Sequence, residues 1–456
     1  MKKISVWKEH TIIPEREALL ENLTTEVAVI GAGMAGILTA CFLQRQGKKV
    51  VVLEAERIGS GQTGNTTAKL TVQHGLLYEK LIRKYGRKKA LDYWRANQQA
   101  MDLYEQFIKE KQIDCNFERL PSYLYSVEDR ELLAREASAA ASLGIPSRLV
   151  SDTELPFEHV GAVCFEHQAQ FEPLRFLKEM SRELTIFEKT KVLSVKGHTI
   201  ITRQAQVQAD YIVIATHYPI VNLPGFYFMR QHQERSYVLA MSGADKLIGM
   251  YYSADRDGIS LRSFQDFLLI GGGAHRTGEL KGSCGYTALR QKAQRYYPCC
   301  NEEYSWSAQD CITHDDFPFI GRYSIFRPYW YVISGFKKWG MTSAMLAAVL
   351  ISDEICGRRN PYEQLFSPQR IYPVASARNF VVDMGASLKG LSEGAIRLFS
   401  KTSPRCSHMG CALKWNPQEG TWECPCHGSR FEEDGSLVDN PAKKGIELKQ
   451  KECQAE

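Results

Sequence analysis

Four residues near the end of the chain constrain it more than any others. Cys406-Ser-His408 and Cys424-Pro-Cys426-His427 read C-x-H and C-x-x-H, two thiolates and two imidazoles offered by two loops facing each other. Two sulfurs and two nitrogens suit one pair of irons, and the same residue types also fit tetrahedral zinc. A Cys2His2 zinc site uses no further cysteines, yet Cys411 and Cys426 are left at matching positions, one in each loop.

From about Asn379 onward the chain resembles the Rieske iron–sulfur proteins. The resemblance implies a [2Fe-2S] cluster in which Cys406 and Cys424 hold the iron that stays ferric. His408 and His427 then hold the iron that is reduced, which raises the potential above that of all-cysteine clusters. It further implies a Cys411–Cys426 disulfide tying the loops together, a Ser429 hydroxyl bonded to a bridging sulfide, and Pro441-Ala442 as the loop that shields the cluster. One departure matters. High-potential members carry a tyrosine two residues after that serine, and here the residue is Phe431. One hydrogen bond toward sulfur is then missing, so the expected midpoint lies below the top of the roughly −150 to +300 mV Rieske range.

At 456 residues, with 44% hydrophobic and 24% charged, the chain is long enough for two or three domains. Its net charge of +5 is small and interspersed, which gives no support to nucleic-acid binding. No apolar run reaches the roughly 18 residues of a bilayer span, so no integral membrane segment is expected. Met1 to His10 has positive charge but no apolar region, and a cytoplasmic location is the expectation. In that setting most of the 13 cysteines should be reduced and buried.

The first half opens on a second motif. The apolar run Glu26 to Ile30 ends in Gly31-Ala-Gly33-Met34-Ala35-Gly36, helical periodicity follows, and a second run, Val50 to Leu53, closes on Glu54. Strand, glycine turn, helix, strand and acid form a dinucleotide fingerprint, with the acid spaced to accept from a ribose hydroxyl. A second glycine loop, Gly271 to Gly278, fails the same test: Arg276 takes the third glycine position and no helical pattern follows.

The small polar segment Arg57 to Lys69 resembles the one after the second strand in FAD enzymes of the glycine and D-amino-acid oxidase (DAO) family. Asp315 to Gly321, then Gly335 to Thr342 opening a helix from Ser343 to Ile355, is a second match. The resemblance implies FAD held by Gly31, Gly33, Met34, Ala35, Gly36, Glu54, Thr63, Val192, Ala215, Gly335, Lys338, Gly340, Met341 and Thr342. The helix would point its positive end at the flavin, where charge collects on reduction, with Lys337 or Lys338 adding to it. It also implies Lys69, Arg262, His275 and Lys338 as candidates to hold substrate, each with a surface ion pair or a bonded core group as the alternative. Some amine oxidases carry a carboxylate-binding lysine where this chain has Thr342, which weakens the case for an amino-acid substrate.

The expected architecture is α/β: a doubly wound, Rossmann-like FAD domain over 1–75, 155–225 and 310–356, with an inserted α+β substrate domain over 76–154 and 226–309. The stretch 76–143 reads as predominantly helical. A proline-marked tether, 357–378, leads to an all-β Rieske domain, 379–456. The function implied is an FAD-dependent amine or amino-acid dehydrogenase that passes single electrons through its Rieske cluster to an unknown acceptor. Two alternatives accompany it: a non-catalytic flavin and iron–sulfur redox sensor, and electron flow from cluster to flavin that reduces a substrate.

Overall fold

The computed structural model describes residues 1–280, 282, 284–372 and 404–448, with isolated positions 385, 389 and 392. The expected tether past 372 and the first part of the Rieske segment, up to 403, therefore lie outside the described residues.

The nucleotide half is built on an eight-stranded sheet. Its main path runs Phe319–Ser324, Arg327–Ser334, Gln206–Ile214, Leu23–Ile30, Val50–Leu53, Thr185–Phe187, and the four pairings from Arg327–Ser334 onward are parallel. Val50–Leu53 is buried along its whole length, as a parallel strand covered on both faces must be. Register brings Ile30, Leu53, Ile214 and Val332 level at one end of the sheet. Past that end the crevice opens in which such sheets bind ligands. Two helices, Met34–Arg45 and Gly340–Ile355, cover one face, and each begins at this crevice.

A nine-stranded sheet forms the second layer, in the order Asn301–Thr313, Gln231–Ser242, Phe267–Arg276, Ser260–Phe264, Met250–Ser253, Glu118–Ser126, Gly161–Gln170, Lys69–Leu70, with Ser147–Val150 on Gly161–Gln170. This redraws the expected boundaries. Gly161–Gln170 falls in the stretch assigned to the nucleotide domain, yet it pairs along Glu118–Ser126 in the second sheet. That strand also interrupts the stretch expected to be helical, which otherwise holds Tyr78–Tyr85, Arg87–Lys111 and Arg130–Ser142. The suspect loop at 271–278 is largely strand Phe267–Arg276.

The first part of the expected tether is pinned down. Arg370 bonds Asp315 through two nitrogens, at 2.7 and 2.8 Å, and takes the Pro318 and Phe366 carbonyls. The C-terminal domain is a four-stranded antiparallel sheet, Lys414–Asn416, Thr421–Glu423, Arg430–Phe431, Leu437–Asp439. Among the described residues no helix is long and apolar enough to cross a membrane.

Candidate active site

The glycine turn folds so tightly that side chains are barred from it. A Cβ on Gly36 would lie 1.9 Å from the Gly31 carbonyl oxygen, and Gly31, at φ +108°, would place one 2.6 Å from the Ala215 carbonyl. Backbone is thereby brought up to the N-terminus of Met34–Arg45, where a pyrophosphate finds free N–H groups. Thr63 accepts from the Met34 amide at 2.9 Å and closes the cradle from the side. Glu54 accepts from the Ala32 and Glu56 amides at 2.7 and 2.8 Å, and burial pushes its carboxyl above its ordinary range. These groups border one continuous cavity of about 920 Å³ that runs from Glu54 and Val192, past Gly31, Gly33, Met34, Ala35, Thr63 and Ala215, to Gly335, Lys338, Gly340 and Met341. Its length, glycine-lined floor and acid at one end fit FAD. Gly36 lies beneath the turn, and Thr342 is buried under the helix start with its hydroxyl on the Thr71 carbonyl at 3.1 Å.

The four substrate candidates are placed differently. Lys69 lines the cavity and donates to the Tyr251 carbonyl at 2.8 Å; burial, with Arg262 nearby, lowers its ammonium to about 7. Lys338 also lines it, 3.1 Å from Glu234. Burial works against the Lys338 charge, but Glu234, joined by Tyr252 and Asp310, outweighs it and the net shift is upward. Arg262 lies off the cavity, 1% exposed, and donates to the Thr67, Ala68 and Phe171 carbonyls. It thereby holds in place the segment that carries Lys69. His275 faces the C-terminal domain, its ring nitrogens meeting the Tyr237 hydroxyl at 2.9 Å and the Arg276 carbonyl at 2.7 Å. Lys337 turns away to Asp316 at 2.6 Å.

In the C-terminal domain the two loops converge as their spacing requires. Cys406 and Cys424 are 3% and 1% exposed, and the His408 and His427 rings stand perpendicular with centroids 5.1 Å apart. The Cys424 thiol bonds Cys406 and, with the His408 amide and the Ser429 hydroxyl, brings it down to about 7 against burial. His408 Nδ1 is buried with no hydrogen-bond partner, while its Nε2 meets Asn222 at 2.9 Å. Two adjacent thiols and an imidazole nitrogen held ready on the inner side fit a [2Fe-2S] cluster. The Cys411–Cys426 disulfide ties the loops, Ser429 accepts from the Ala442 amide at 3.0 Å, and Phe431 is fully buried.

The docking of this domain could not be read beforehand. Phe228 packs edge-on to both histidine rings, at 6.4 Å from His408 and 5.7 Å from His427. Gln233 donates to the His427 and Asn440 carbonyls at 2.8 and 2.9 Å. Gln309 donates to Gln233 and to the Gly428 carbonyl at 2.8 and 2.9 Å, and its own amide donates to Gln62 on the cavity wall at 2.8 Å. Arg235, buried, meets Glu419 at 2.5 Å and Glu423 at 3.6 Å, and these two carboxylates overcome the cost of burial to raise its pKa. Gly278 would drive a Cβ to 2.6 Å from the Pro425 nitrogen, so backbone meets backbone there. Arg430, Leu437, Val438, Asp439 and Asn440 of the C-terminal domain complete the wall of the large cavity. None of Asn222, Phe228, Gln233 or Gln309 belongs to a motif.

Comparison with known proteins agrees with this anatomy. Residues 26–354 match the family profile "FAD dependent oxidoreductase" (DAO), and residues 391–450 match "Rieske [2Fe-2S] domain". The chain is 34% identical, over 96% of both chains, to YhfW of Bacillus subtilis (strain 168), provisionally named a Rieske 2Fe-2S iron-sulfur protein. Among solved structures it is similar in fold to glycine oxidase from Geobacillus kaustophilus (TM-score 0.65, 16% identity, 77% of this chain and 100% of that one). It is similar also to L-proline dehydrogenase from P. horikoshii (TM-score 0.63, 18% identity, 76% and 98%).

Proposed function

Because the chain belongs to the FAD dependent oxidoreductase (DAO) family and ends in a Rieske [2Fe-2S] domain, we propose that it is an amine or amino-acid dehydrogenase whose electrons leave through that domain. FAD held by the glycine turn and the start of Gly340–Ile355 would supply hydride acceptance from a carbon next to nitrogen, and a cluster held by Cys406, His408, Cys424 and His427 would supply one-electron transfer. The residues of the chain supply position and insulation. Gly340 and the helix behind it turn positive backbone ends toward the cavity, and Lys338 adds a charge fixed by Glu234. Asn222 and Phe228 hold the histidine side of the C-terminal loops against the flavin half. Leu437–Asp439 completes the cavity wall on the side of the C-terminal domain.

One observation carries the reading: the hydrogen-bonded file Gln62, Gln309, Gln233, His427 carbonyl runs without a break from the cavity wall to a cluster-ligand residue. The acceptor beyond the cluster is an external partner that would approach the C-terminal domain. Anaerobic titration of the holoprotein with a panel of amines tests the reading. Bleaching of the flavin band followed by reduction of the cluster is expected. Reduction by dithionite alone across the panel would remove the dehydrogenase and favour a redox sensor.

A further inference from the structure

The charges around the substrate end of the cavity specify the molecule it takes, an inference that rests on the dehydrogenase reading above. Asp310 stands on the cavity wall directly across the sheet from Glu234. Lys338 pairs with Glu234, and among the described residues no hydrogen bond or ion pair engages the Asp310 carboxylate. Asp310 and Lys338 line the cavity while Glu234, which lines the neighbouring pocket, holds the Lys338 charge, so the formal charges of the three sum to one negative. Of the cations nearby, Lys338 is held by Glu234 and Arg235 by Glu419 and Glu423. Lys69 donates to the neutral Tyr251 carbonyl, and burial, with Arg262 nearby, lowers its ammonium to about 7. Arg256 is exposed on the turn after Met250–Ser253.

The remaining wall suits a cation as well. The Trp339 and Tyr252 rings form a corner, centroids 5.1 Å apart and tilted 58°, and both line the cavity. Aromatic faces attract an ammonium group and gain nothing from a carboxylate. An amino acid would bring its own carboxylate beside Asp310, with Lys338 already held by Glu234, and like charges in a poorly solvated site repel strongly.

We propose that the substrate is a protonated amine lacking a carboxylate, its ammonium received by Asp310 and the Trp339–Tyr252 corner. Asp310 is then the residue that sets specificity.

Calorimetric binding of two inert probes, tetramethylammonium and acetate, to the flavin-loaded protein tests this without turnover. Tetramethylammonium should bind at least about tenfold more tightly than acetate, and Asp310→Asn should weaken it by about tenfold while leaving acetate unchanged. Asp310→Glu should restore most of the affinity. Acetate binding as tightly as the cation, or cation affinity that ignores Asp310→Asn, overturns the proposal. The two-probe comparison on the unaltered protein stands even if the variants fail to fold. Cation binding through Asp310 with no amine able to bleach the flavin would remove the dehydrogenase reading and leave this site intact.

Discussion

Replacing Arg235 with methionine should loosen the C-terminal domain from the flavin half by a calculable amount. The guanidinium is 1% exposed and lies 2.5 Å from Glu419 and 3.6 Å from Glu423. Arg430 serves the same two acids, at 3.4 and 3.6 Å, and Asp439 at 2.8 Å. Removing one partner of a buried pair costs about 3–5 kcal/mol, because the other charge is left without compensation. Arg430 still compensates these carboxylates, so the lower end applies, about 3 kcal/mol, which is roughly a hundredfold in the docking equilibrium. Hydrogen exchange on the holoprotein reads it. Amides at the interface, such as Gly278, which donates to Glu423 at 2.9 Å, should lose about a hundredfold of protection. Those of the central strand Leu23–Ile30 should keep theirs. Arg430→Met should not cause this loss, because its pairs with Glu419, Glu423 and Asp439 lie within the C-terminal domain and do not cross the interface. Unchanged protection at Gly278, or an equal loss in the central strand, would refute the argument that these pairs hold the two halves together.

Gly36→Ala forces a methyl onto the Gly31 carbonyl, and the purified variant should carry less than about a tenth of the normal FAD, measured by flavin release. Phe431→Tyr should raise the cluster midpoint by restoring a hydrogen bond toward sulfur; a redox titration showing an unchanged or lower midpoint would contradict that account. The pH dependence of cation binding follows from Asp310, which burial and then Glu234 push up, against Lys338 and Arg235, to about 6. The ionised form receives the cation, so affinity should be level above about pH 6 and fall by about tenfold per unit below it. Asp310→Asn should flatten that profile.

Local sequence carried both cofactor motifs because each depends on residues close together in the chain. Gly31 to Gly36 must be small for its own turn to close, and Cys406 to His427 must share two loops, so spacing marks both sites, while iron in place of zinc at the second rested on the family resemblance. The boundary between the sheets was hidden for the opposite reason. Gly161–Gln170 finds its partner at Glu118–Ser126, and nothing within the strand says which sheet it joins. Arg262 and His275 are basic residues near a glycine-rich strand whether they face substrate or core; only the fold shows three carbonyls around one and Tyr237 against the other. Asp310 left a faint mark, an acid next to the stretch that leads into Asp315 to Gly321, but its meaning depends on Lys338 being claimed by Glu234 across the sheet. Gln233 and Gln309 left none, since neutral amides become a bridge only when two domains meet around them.

The proposed dehydrogenase requires electrons to cross between two centres inside one docked molecule. Rapid mixing of oxidised holoprotein with an excess of a reactive amine, without oxygen and at several protein concentrations, measures that crossing directly. Flavin bleaching should be followed by cluster reduction at a rate independent of protein concentration, and slowed in Arg235→Met. A cluster that stays oxidised while the flavin is bleached, or one reduced at a rate proportional to protein concentration, would contradict it.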